Sequence, residues 1–177
     1  MKRVEKSSRE KDIALARKGD DRAFSRIIEE ELVYMYRISN SILHREADVE
    51  DGVQETVIKA WRQLPTLKDD RYFKTWLIRI LINQCNEILR KQKRIVLMDE
   101  NPCASEEFAD SSDRIALKDA INRLDNELRT VIILYYFEDL SYSEIAYVLG
   151  TPEGTVKSRL SRAKNKLNKA LSDRIGG

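Results

Sequence analysis

The sequence predicts an all-α fold in which two small helical domains are joined by a flexible acidic linker. Few segments alternate between apolar and polar residues as strands do, and the chain contains only six Gly and three Pro. Hydrophobic residues make up 42% and charged residues 35% of the chain, which suits soluble helical bundles. Residues 95–113 contain six acidic residues and no Lys or Arg, and the segments on either side are basic. These observations predict domains at 1–94 and 113–177 with a linker at 95–112.

The N-terminal domain is expected to contain four helices. The first ends at Gly19, since glycine readily takes the left-handed conformation that closes a helix. The third ends before Pro65, because a proline disfavours the helical conformation in the residue that precedes it. The expected helices cover residues 12–18, 22–44, 48–63 and 72–91.

The C-terminal domain contains the pattern of a helix-turn-helix. Ser141 and Glu144 form a capping box at the start of a support helix, and Gly150 turns the chain after it. Thr151 is expected to cap a second helix whose first position is Pro152, where a missing N–H costs nothing. The two helices are expected to cover residues 142–149 and 152–171.

The second helix of this pattern should present polar residues to the outside, because Val156 and Leu160 point into the core. A short polar helix carried on a support helix is what the major groove of DNA admits. The alternative is an ordinary helical hairpin with a solvated, charged face. The candidates for contact with duplex DNA are Tyr142, Glu153, Thr155, Lys157, Ser158, Arg159, Ser161 and Arg162.

The third predicted helix has two different faces. Val49, Val53, Val57, Ala60 and Leu64 recur every three or four residues and should be buried. An acidic strip with one apolar member lies on the other faces, and it is either a solvated surface or a docking surface for a basic partner. The strip consists of Asp48, Asp51, Gln54, Glu55 and Ile58.

Aromatic and basic residues are combined around the fourth predicted helix. Tyr72, Phe73 and Trp76 follow the loop at 65–71, and residues 90–94 carry four positive charges. This combination suits unstacked single-stranded DNA, because every base offers a face for stacking. The alternative is that Phe73 and Trp76 belong to the core. The candidates for single-strand contact are Lys68, Arg71, Phe73, Lys74, Thr75, Trp76, Arg79, Asn83, Asn86 and Arg90.

The sequence predicts no catalytic residues, no metal site, no cofactor and no small-molecule substrate. A structural zinc site needs about four Cys or His ligands, and the chain has one histidine and two cysteines. Cys85 is expected to be a buried free thiol and Cys103 a loop thiol. Neither a nucleophile–base pair nor a Gly-rich phosphate loop is recognisable. Without a signal peptide, or a membrane span of about 20 apolar residues, a cytoplasmic protein is expected.

Four motifs, taken together, resemble the extracytoplasmic-function (group 4) sigma factors of the sigma-70 superfamily. They occur in the order of that family, and the linker separates the second motif from the third. Four motifs in register are more specific than any one of them, and they cover both predicted domains. The motifs are Ala47–Trp61, Phe73–Asn83, Leu140–Ala146 and Pro152–Leu160.

The resemblance implies an alternative sigma factor, which binds core RNA polymerase and directs promoter-specific initiation. The acidic strip would bind the clamp helices of the β′ subunit. The loop at 65–72 and the fourth helix would open and read the promoter −10 element, with a flipped base in a loop pocket. The C-terminal domain would read the −35 element and contact the β flap, and the linker would run through the RNA exit path. A membrane-linked anti-sigma factor would hold the protein inactive until an envelope signal releases it.

Two positions depart from the family pattern. Gly52 stands where the family usually has a larger aliphatic residue, and a mid-helix glycine costs about 1 kcal/mol relative to alanine. A local bend or weaker docking is therefore expected there. The segment 124–126 lacks the proline often found in the family, which leaves the start of the next helix open.

Two other functions fit part of the sequence. A dimeric transcription regulator could use the same helix-turn-helix without joining polymerase, but it leaves the acidic strip and the aromatic loop unexplained. A protein-binding adaptor is disfavoured, because residues 154–177 carry seven basic residues and one acidic residue.

Overall fold

The computed structural model describes residues 2–43, 45–96, 117 and 119–175, and helices are the only regular elements among them. The predicted all-α fold is therefore confirmed, while most of the acidic linker, including Cys103, lies outside the described residues. Two 3-10 turns, Leu64–Thr66 and Asp70–Tyr72, connect the fourth helix to the fifth. The α-helices are α1 (Lys2–Arg17), α2 (Asp21–Glu29), α3 (Leu32–Ile42), α4 (Glu46–Gln63), α5 (Phe73–Val96), α6 (Asn126–Tyr136), α7 (Tyr142–Leu149) and α8 (Glu153–Ile175).

The segment predicted as one helix at 22–44 is in fact two, so five α-helices precede the linker instead of four. The break lies at Glu30 and Glu31, whose backbone angles remain close to helical (φ −60°, ψ −26° and φ −101°, ψ −11°). Apolar residues keep their helical spacing across it, so their periodicity could not reveal it. Glu31 is buried at this break and forms an ion pair with Arg9 of α1.

Three helices are longer than predicted. α1 begins at Lys2 instead of residue 12, α5 continues to Val96, inside the predicted linker, and α8 continues to Ile175. The added segments are rich in Lys, Arg, Glu and Gln, which favour the helix but form no apolar stripe. Hydrophobic periodicity therefore underestimated their length.

Helices α1 to α5 surround a common apolar core. Fully buried in this core are Met35, Ile38, Leu77 and Leu81. The predicted core stripe of α4 is confirmed at Val49, Val53 and Ala60, while Val57 is only partly buried. Cys85 is a buried free thiol, as predicted, and burial raises its pKa to about 11.

Gly52 marks a close approach between α4 and α5. A Cβ atom at this position would lie 3.4 Å from Ile88 Cδ1 and 3.5 Å from Leu43 Cδ1. There is room for a methyl group but not for the larger aliphatic side chain expected from the family pattern. The helix is continuous through Gly52.

The C-terminal helices pack around Val131, Leu134, Ile145, Val156 and Leu160, all of which are buried. α6 also packs against α3, and α7 against α5, so the two groups of helices are in contact. Among the described residues, no helix is both long and apolar enough to cross a bilayer.

Candidate nucleic-acid interface

The support helix and turn of the helix-turn-helix form as predicted. The Ser141 hydroxyl accepts a hydrogen bond from the Glu144 N–H at 3.3 Å, and the Glu144 carboxylate accepts one from the Ser141 N–H at 2.8 Å. Gly150 takes the left-handed conformation (φ 62°, ψ 34°). The Thr151 N–H then donates to the Ala146 carbonyl at 3.1 Å, which closes α7.

The predicted cap at Thr151 is wrong. Its hydroxyl is buried, faces a cavity next to α5, and has no hydrogen-bond partner among the described residues. The Pro152 carbonyl instead accepts from the Thr155 N–H at 2.9 Å, and α8 begins at Glu153. A proline suits this position, because the first N–H groups of a helix have no partner within the helix.

The outer face of α8 carries the predicted polar residues. Val156 and Leu160 are 0% and 3% exposed and fix the rotation of the helix. Arg159 departs from its neighbours, since its side chain is only 16% exposed and pairs with Glu127 of α6 at 2.7 Å. Thr155 is partly buried. The exposed members of the set are Glu153, Lys157, Ser158, Ser161 and Arg162.

Lys157, an exposed cation on this face, has both an acidic and an aromatic neighbour. Its ammonium lies 2.8 Å from the Glu153 carboxylate, and this hydrogen bond raises the pKa of Lys157. It also lies 5.5 Å from the centre of the Tyr142 ring, which stacks on Tyr135 at 5.2 Å. An exposed ion pair contributes little, so a DNA phosphate can replace Glu153 as the partner of Lys157.

The start of α5 and the two 3-10 turns border a cavity of about 750 Å³. The partly exposed side chain of Trp76 lines this cavity, and the exposed side chain of Tyr72 lies at its edge. Residues of α7 form the opposite wall. The lining side chains from the first group of helices include Leu67, Lys68, Asp69, Tyr72, Thr75 and Trp76.

Most of the candidates for single-strand contact lie around this cavity or along α5. Arg71 is exposed, and its hydrogen bonds hold the pKa of Asp69 below its ordinary value. Lys74 is partly buried, with its ammonium 5.2 Å from the centre of the Tyr34 ring. The candidates exposed along α5 are Arg79, Asn83, Asn86 and Arg90.

Two candidates for single-strand contact, Phe73 and Thr75, are buried, and for Phe73 this confirms the alternative that it belongs to the core. Phe73 is 1% exposed and packs against Trp76, with the Arg9 guanidinium 5.6 Å from the centre of its ring. It therefore belongs to the core and offers no face to a base. Thr75 is 5% exposed, and its hydroxyl donates to the Tyr72 carbonyl at 3.0 Å. It forms part of the cavity wall instead of an outer face of α5.

The acidic strip of α4 is largely exposed. Asp51, Gln54 and Glu55 are open to solvent, and Ile58 is 44% exposed, which is high for an aliphatic side chain. Asp48 differs, because it is partly buried and accepts a hydrogen bond from the Gln92 amide of α5 at 2.6 Å. Four residues of the strip are therefore accessible to a partner. Asp48 is instead hydrogen-bonded to α5.

Comparison with known proteins identifies the family. The sigma-70 region 2 model matches residues 27–95 and the sigma-70 region 4 model matches residues 114–167. The RNA polymerase sigma-H factor of Pseudomonas aeruginosa is 35% identical over 174 residues, which cover 87% of this chain and 89% of that protein. The ECF RNA polymerase sigma factor SigW of Bacillus subtilis is 31% identical over 180 residues, which cover 92% and 96%. The chain is an extracytoplasmic-function sigma factor.

Two solved structures share the fold of this sigma factor. The sigma factor RpoE of Bartonella quintana, in complex with the anti-sigma factor NepR, has a TM-score of 0.73 and 30% identity, and covers 84% of this chain and 96% of its own. CnrH, in complex with the cytosolic domain of CnrY, has a TM-score of 0.69 and 30% identity, with 94% and 98% covered. This sigma factor therefore directs promoter-specific initiation of transcription, and its partners are core RNA polymerase and promoter DNA.

Two tyrosines beside the candidate DNA-contact surfaces of the sigma factor were not assigned from the sequence. Tyr147 of α7 lines the cavity at the start of α5, and its ring lies 4.5 Å from the Arg79 guanidinium. Tyr135 stacks on Tyr142, and the Lys164 ammonium lies 5.7 Å from the Tyr135 ring. An aromatic residue at an outward position of the support helix was the available signal for Tyr147.

Proposed function

We propose that this sigma factor uses three separate surfaces, one for core RNA polymerase and two for promoter DNA. Residues 1–94 act as the region 2 domain, residues 113–177 as the region 4 domain, and residues 95–112 as the linker between them. The observation that carries the proposal is a fully formed helix-turn-helix with an exposed polar face, in a chain that has a separate aromatic and basic surface 60 to 80 residues earlier.

The −35 element is recognised in duplex form by the outer face of α8. Arg162 and Lys157 are exposed cations on this face, and Arg162 is held along the helix by a hydrogen bond to the Ser158 carbonyl at 3.4 Å. Long cationic side chains at the front of a recognition helix can reach phosphates or guanine edges in the major groove. Tyr142, stacked on Tyr135, contributes a hydroxyl at the edge of the same surface.

The −10 element is held as a single strand by the cavity at the start of α5 and by the exposed polar side chains that follow it. Trp76 provides a stacking face, and Lys68 and Arg71 provide charge at the cavity edge. Arg79 and Asn83 extend the surface along α5. Phe73 contributes only by fixing the position of Trp76, against which it packs.

Core polymerase binds the acidic strip of α4 through its β′ clamp helices, and the region 4 domain contacts the β flap. The support for docking at α4 is that Ile58 exposes an apolar side chain one helical turn after the exposed polar residues Gln54 and Glu55. A central apolar contact with a polar surround is the usual composition of a protein interface.

An anti-sigma factor regulates the protein in the cytoplasm. RpoE and CnrH, at 30% identity over most of this chain, are each bound to another protein in their solved structures, and the partner of RpoE is an anti-sigma factor. CnrH is bound by the cytosolic domain of CnrY, and a partner with a separate cytosolic domain supports a membrane-linked regulator for this sigma factor. We propose that such a regulator releases the protein in response to an envelope signal.

Reconstituted transcription tests the proposed function. Purified core polymerase with this protein, supplied with genomic DNA of its source, should produce transcripts whose 5′ ends share two upstream elements at constant spacing. A dimeric regulator would yield such transcripts only with another sigma factor present. Absence of specific transcripts contradicts the proposal.

A pair of matched variants tests the docking surface. Ile58→Ala should weaken binding to core polymerase about tenfold, because truncation of a central interface residue costs about 1–2 kcal/mol. Leu15→Ala is the control, since Leu15 is 43% exposed, compared with 44% for Ile58, and lies on α1. Equal affinities for core polymerase in the two variants would remove Ile58 from the docking surface.

A further inference from the structure

Helix α1 precedes the segment matched by the sigma-70 region 2 model, which begins at residue 27, yet it contacts the surface proposed for the −10 element. In its last turn, the Arg17 guanidinium donates to the Leu67 carbonyl at 2.9 Å and pairs with the Asp70 carboxylate. We propose that Arg17 is a positioning residue for −10 recognition, which holds the loop at 64–72 in the shape that an unstacked base meets. The inference rests on the −10 surface of the proposed function.

The two acceptors of Arg17 stand on either side of the loop tip. Lys68 and Asp69 lie between Leu67 and Asp70, and both line the cavity of about 750 Å³. Residues 67–69 belong to neither of the two 3-10 turns. Ordering such a segment costs conformational entropy, which the two contacts of Arg17 offset. One guanidinium therefore holds both ends of the tip together.

The other hydrogen bonds of the loop act over short distances in the sequence. The Asp69 carboxylate accepts from the Arg71 N–H at 3.0 Å, and the Leu67 N–H donates to the Leu64 carbonyl at 3.1 Å. These bonds join residues two or three positions apart, so each shapes a single turn. The two contacts of Arg17 span 50 and 53 positions. Together with the buried Leu67 side chain, they fix the tip against the body of the N-terminal helices.

Helix α1 is a firm support for this contact. Ile13 and Ala16 are 1% and 4% exposed, so the turn that precedes Arg17 is packed into the core. Gly19 then ends the helix with a φ of 97°, and Asp20 caps α2 by accepting from a backbone N–H at 2.9 Å. The backbone at Arg17 is therefore fixed on both sides. A guanidinium is a planar, preorganised fork, so its two acceptors are held in a defined relation to each other.

A second arginine of α1 reaches the other border of the cavity. Arg9 pairs with the buried carboxylate of Glu31, and its guanidinium lies 5.6 Å from the centre of the Phe73 ring, which packs against Trp76. Helix α1 thus contacts both the loop and the start of α5. Arg17 is 33% exposed and is not among the described residues that line the cavity. It therefore acts on a base only through the loop.

Discrimination between bases on an already opened template tests the positioning role. Holoenzymes with wild type, Arg17→Ala, Arg17→Lys or Arg26→Ala are compared in run-off transcription on templates unpaired through the −10 element. Each of the four bases is placed in turn at each unpaired position. Arg26→Ala is the matched control, because it breaks another ion pair of α1, in which the Arg26 Nε donates to Asp12 at 3.2 Å. That pair joins α1 to α2 instead of to the loop.

The expected result is a loss of discrimination that is confined to the loop contact. Wild type should prefer its best base over the poorest by about fivefold or more, as a wrong base usually costs a specific protein, and Arg17→Ala should lower this ratio to about twofold. Arg17→Lys keeps the charge and a donor, so it should retain more of the ratio. Arg26→Ala should keep the wild-type ratio. Hydrogen exchange of the amides at 64–72 in the free protein should be about threefold faster in Arg17→Ala than in Arg26→Ala.

Asp70→Asn provides a second route to the same test should Arg17→Ala fail to fold. It removes the charge of the partner at nearly constant shape, and it should lower the base ratio by a smaller amount than the loss of Arg17. A wild-type ratio in both Arg17→Ala and Asp70→Asn overturns the inference. An equal loss in Arg26→Ala also overturns it, because the effect would then be general destabilisation.

Failure of the inference can be told apart from failure of the proposed function. If wild type shows no preference for any base on opened templates, the −10 surface itself is wrong. If wild type shows a preference that Arg17→Ala retains, only the role of Arg17 is wrong.

Discussion

The two surfaces proposed here for DNA contact differ in the number of elements that build them. The surface proposed for the −35 element is one face of α8, positioned by the buried residues Val156 and Leu160. The surface proposed for the −10 element combines two 3-10 turns and the start of α5, and residues of α7 line the same cavity. The first surface is therefore encoded locally and is complete in the free protein, whereas the second depends on how distant segments are arranged. The predictions below test this difference.

The largest effect is expected at Trp76, on the surface built from several elements. Trp76→Ala should reduce run-off transcription at least tenfold, since loss of a stacking platform costs about 1–3 kcal/mol per base. Trp76→Phe keeps an aromatic face and should retain most activity. The defect should persist on a template already opened at the −10 element, because stacking acts on the single strand. Equal activity of Trp76→Ala and wild type on that template would contradict the assignment.

A smaller effect is expected at Arg162, on the locally encoded surface. Arg162→Ala should weaken binding of polymerase holoenzyme to promoter duplex about fivefold to tenfold, within the range of about 1–3 kcal/mol for a groove contact. If the contact is to a phosphate, the slope of log affinity against log salt should fall by about one. Lys169→Ala, exposed farther along α8, is the control and should have the weaker effect. If Lys169→Ala weakened binding more than Arg162→Ala, the DNA contact would lie farther along α8 than Arg162.

The capping box tests whether the helix-turn-helix is locally encoded. Ser141→Ala should lower the free energy of unfolding by about 1 kcal/mol, because the Glu144 N–H loses its acceptor. It should also weaken −35 binding without affecting binding to single-stranded DNA. Ser172→Ala, at an exposed position of α8, is the control in chemical denaturation. A stability loss shared by both variants would show that the cap has no special role.

The smallest effect is expected at Gly52, where α4 meets α5. Gly52→Ala should raise the free energy of unfolding by up to about 1 kcal/mol, because the new methyl fits at 3.4 Å from Ile88 and helix propensity improves. Gly52→Leu should lower it, since the larger side chain would collide with Ile88 and Leu43. Denaturation midpoints with urea measure both. A stabilised Gly52→Leu variant would show that α4 can move away from α5.

Local features of the fold could be predicted from the sequence, and features that depend on tertiary contacts could not. Ser141, Glu144 and Gly150 act within a few residues of one another, so the start of α7 and the turn after it were predictable. The break at Glu30 and Glu31 follows from the burial of Glu31 against Arg9, a contact between segments more than 20 residues apart. The spacing of apolar residues along the chain therefore could not predict this break.

The same distinction separates the candidate site residues. Phe73 and Trp76 are three residues apart and therefore lie near one side of α5, yet only Phe73 is fully buried. Which of two neighbouring aromatic residues enters the core depends on the helices packed against them. The hydroxyl of Thr151 also does not cap α8: it is buried without a hydrogen-bond partner in the described part of the chain, and Thr151 lines a cavity together with Ile82 and Asn86 of α5.

Cys85 is a chemically unreactive thiol at the centre of the N-terminal core. With its pKa raised to about 11 by burial, the sulfur stays protonated at neutral pH, and the thiolate is the form that peroxides and electrophiles attack. The sulfur is also shielded from solvent by its neighbours on α3 and α4. Reagents that attack thiolates therefore meet an unreactive position at the centre of the N-terminal helices.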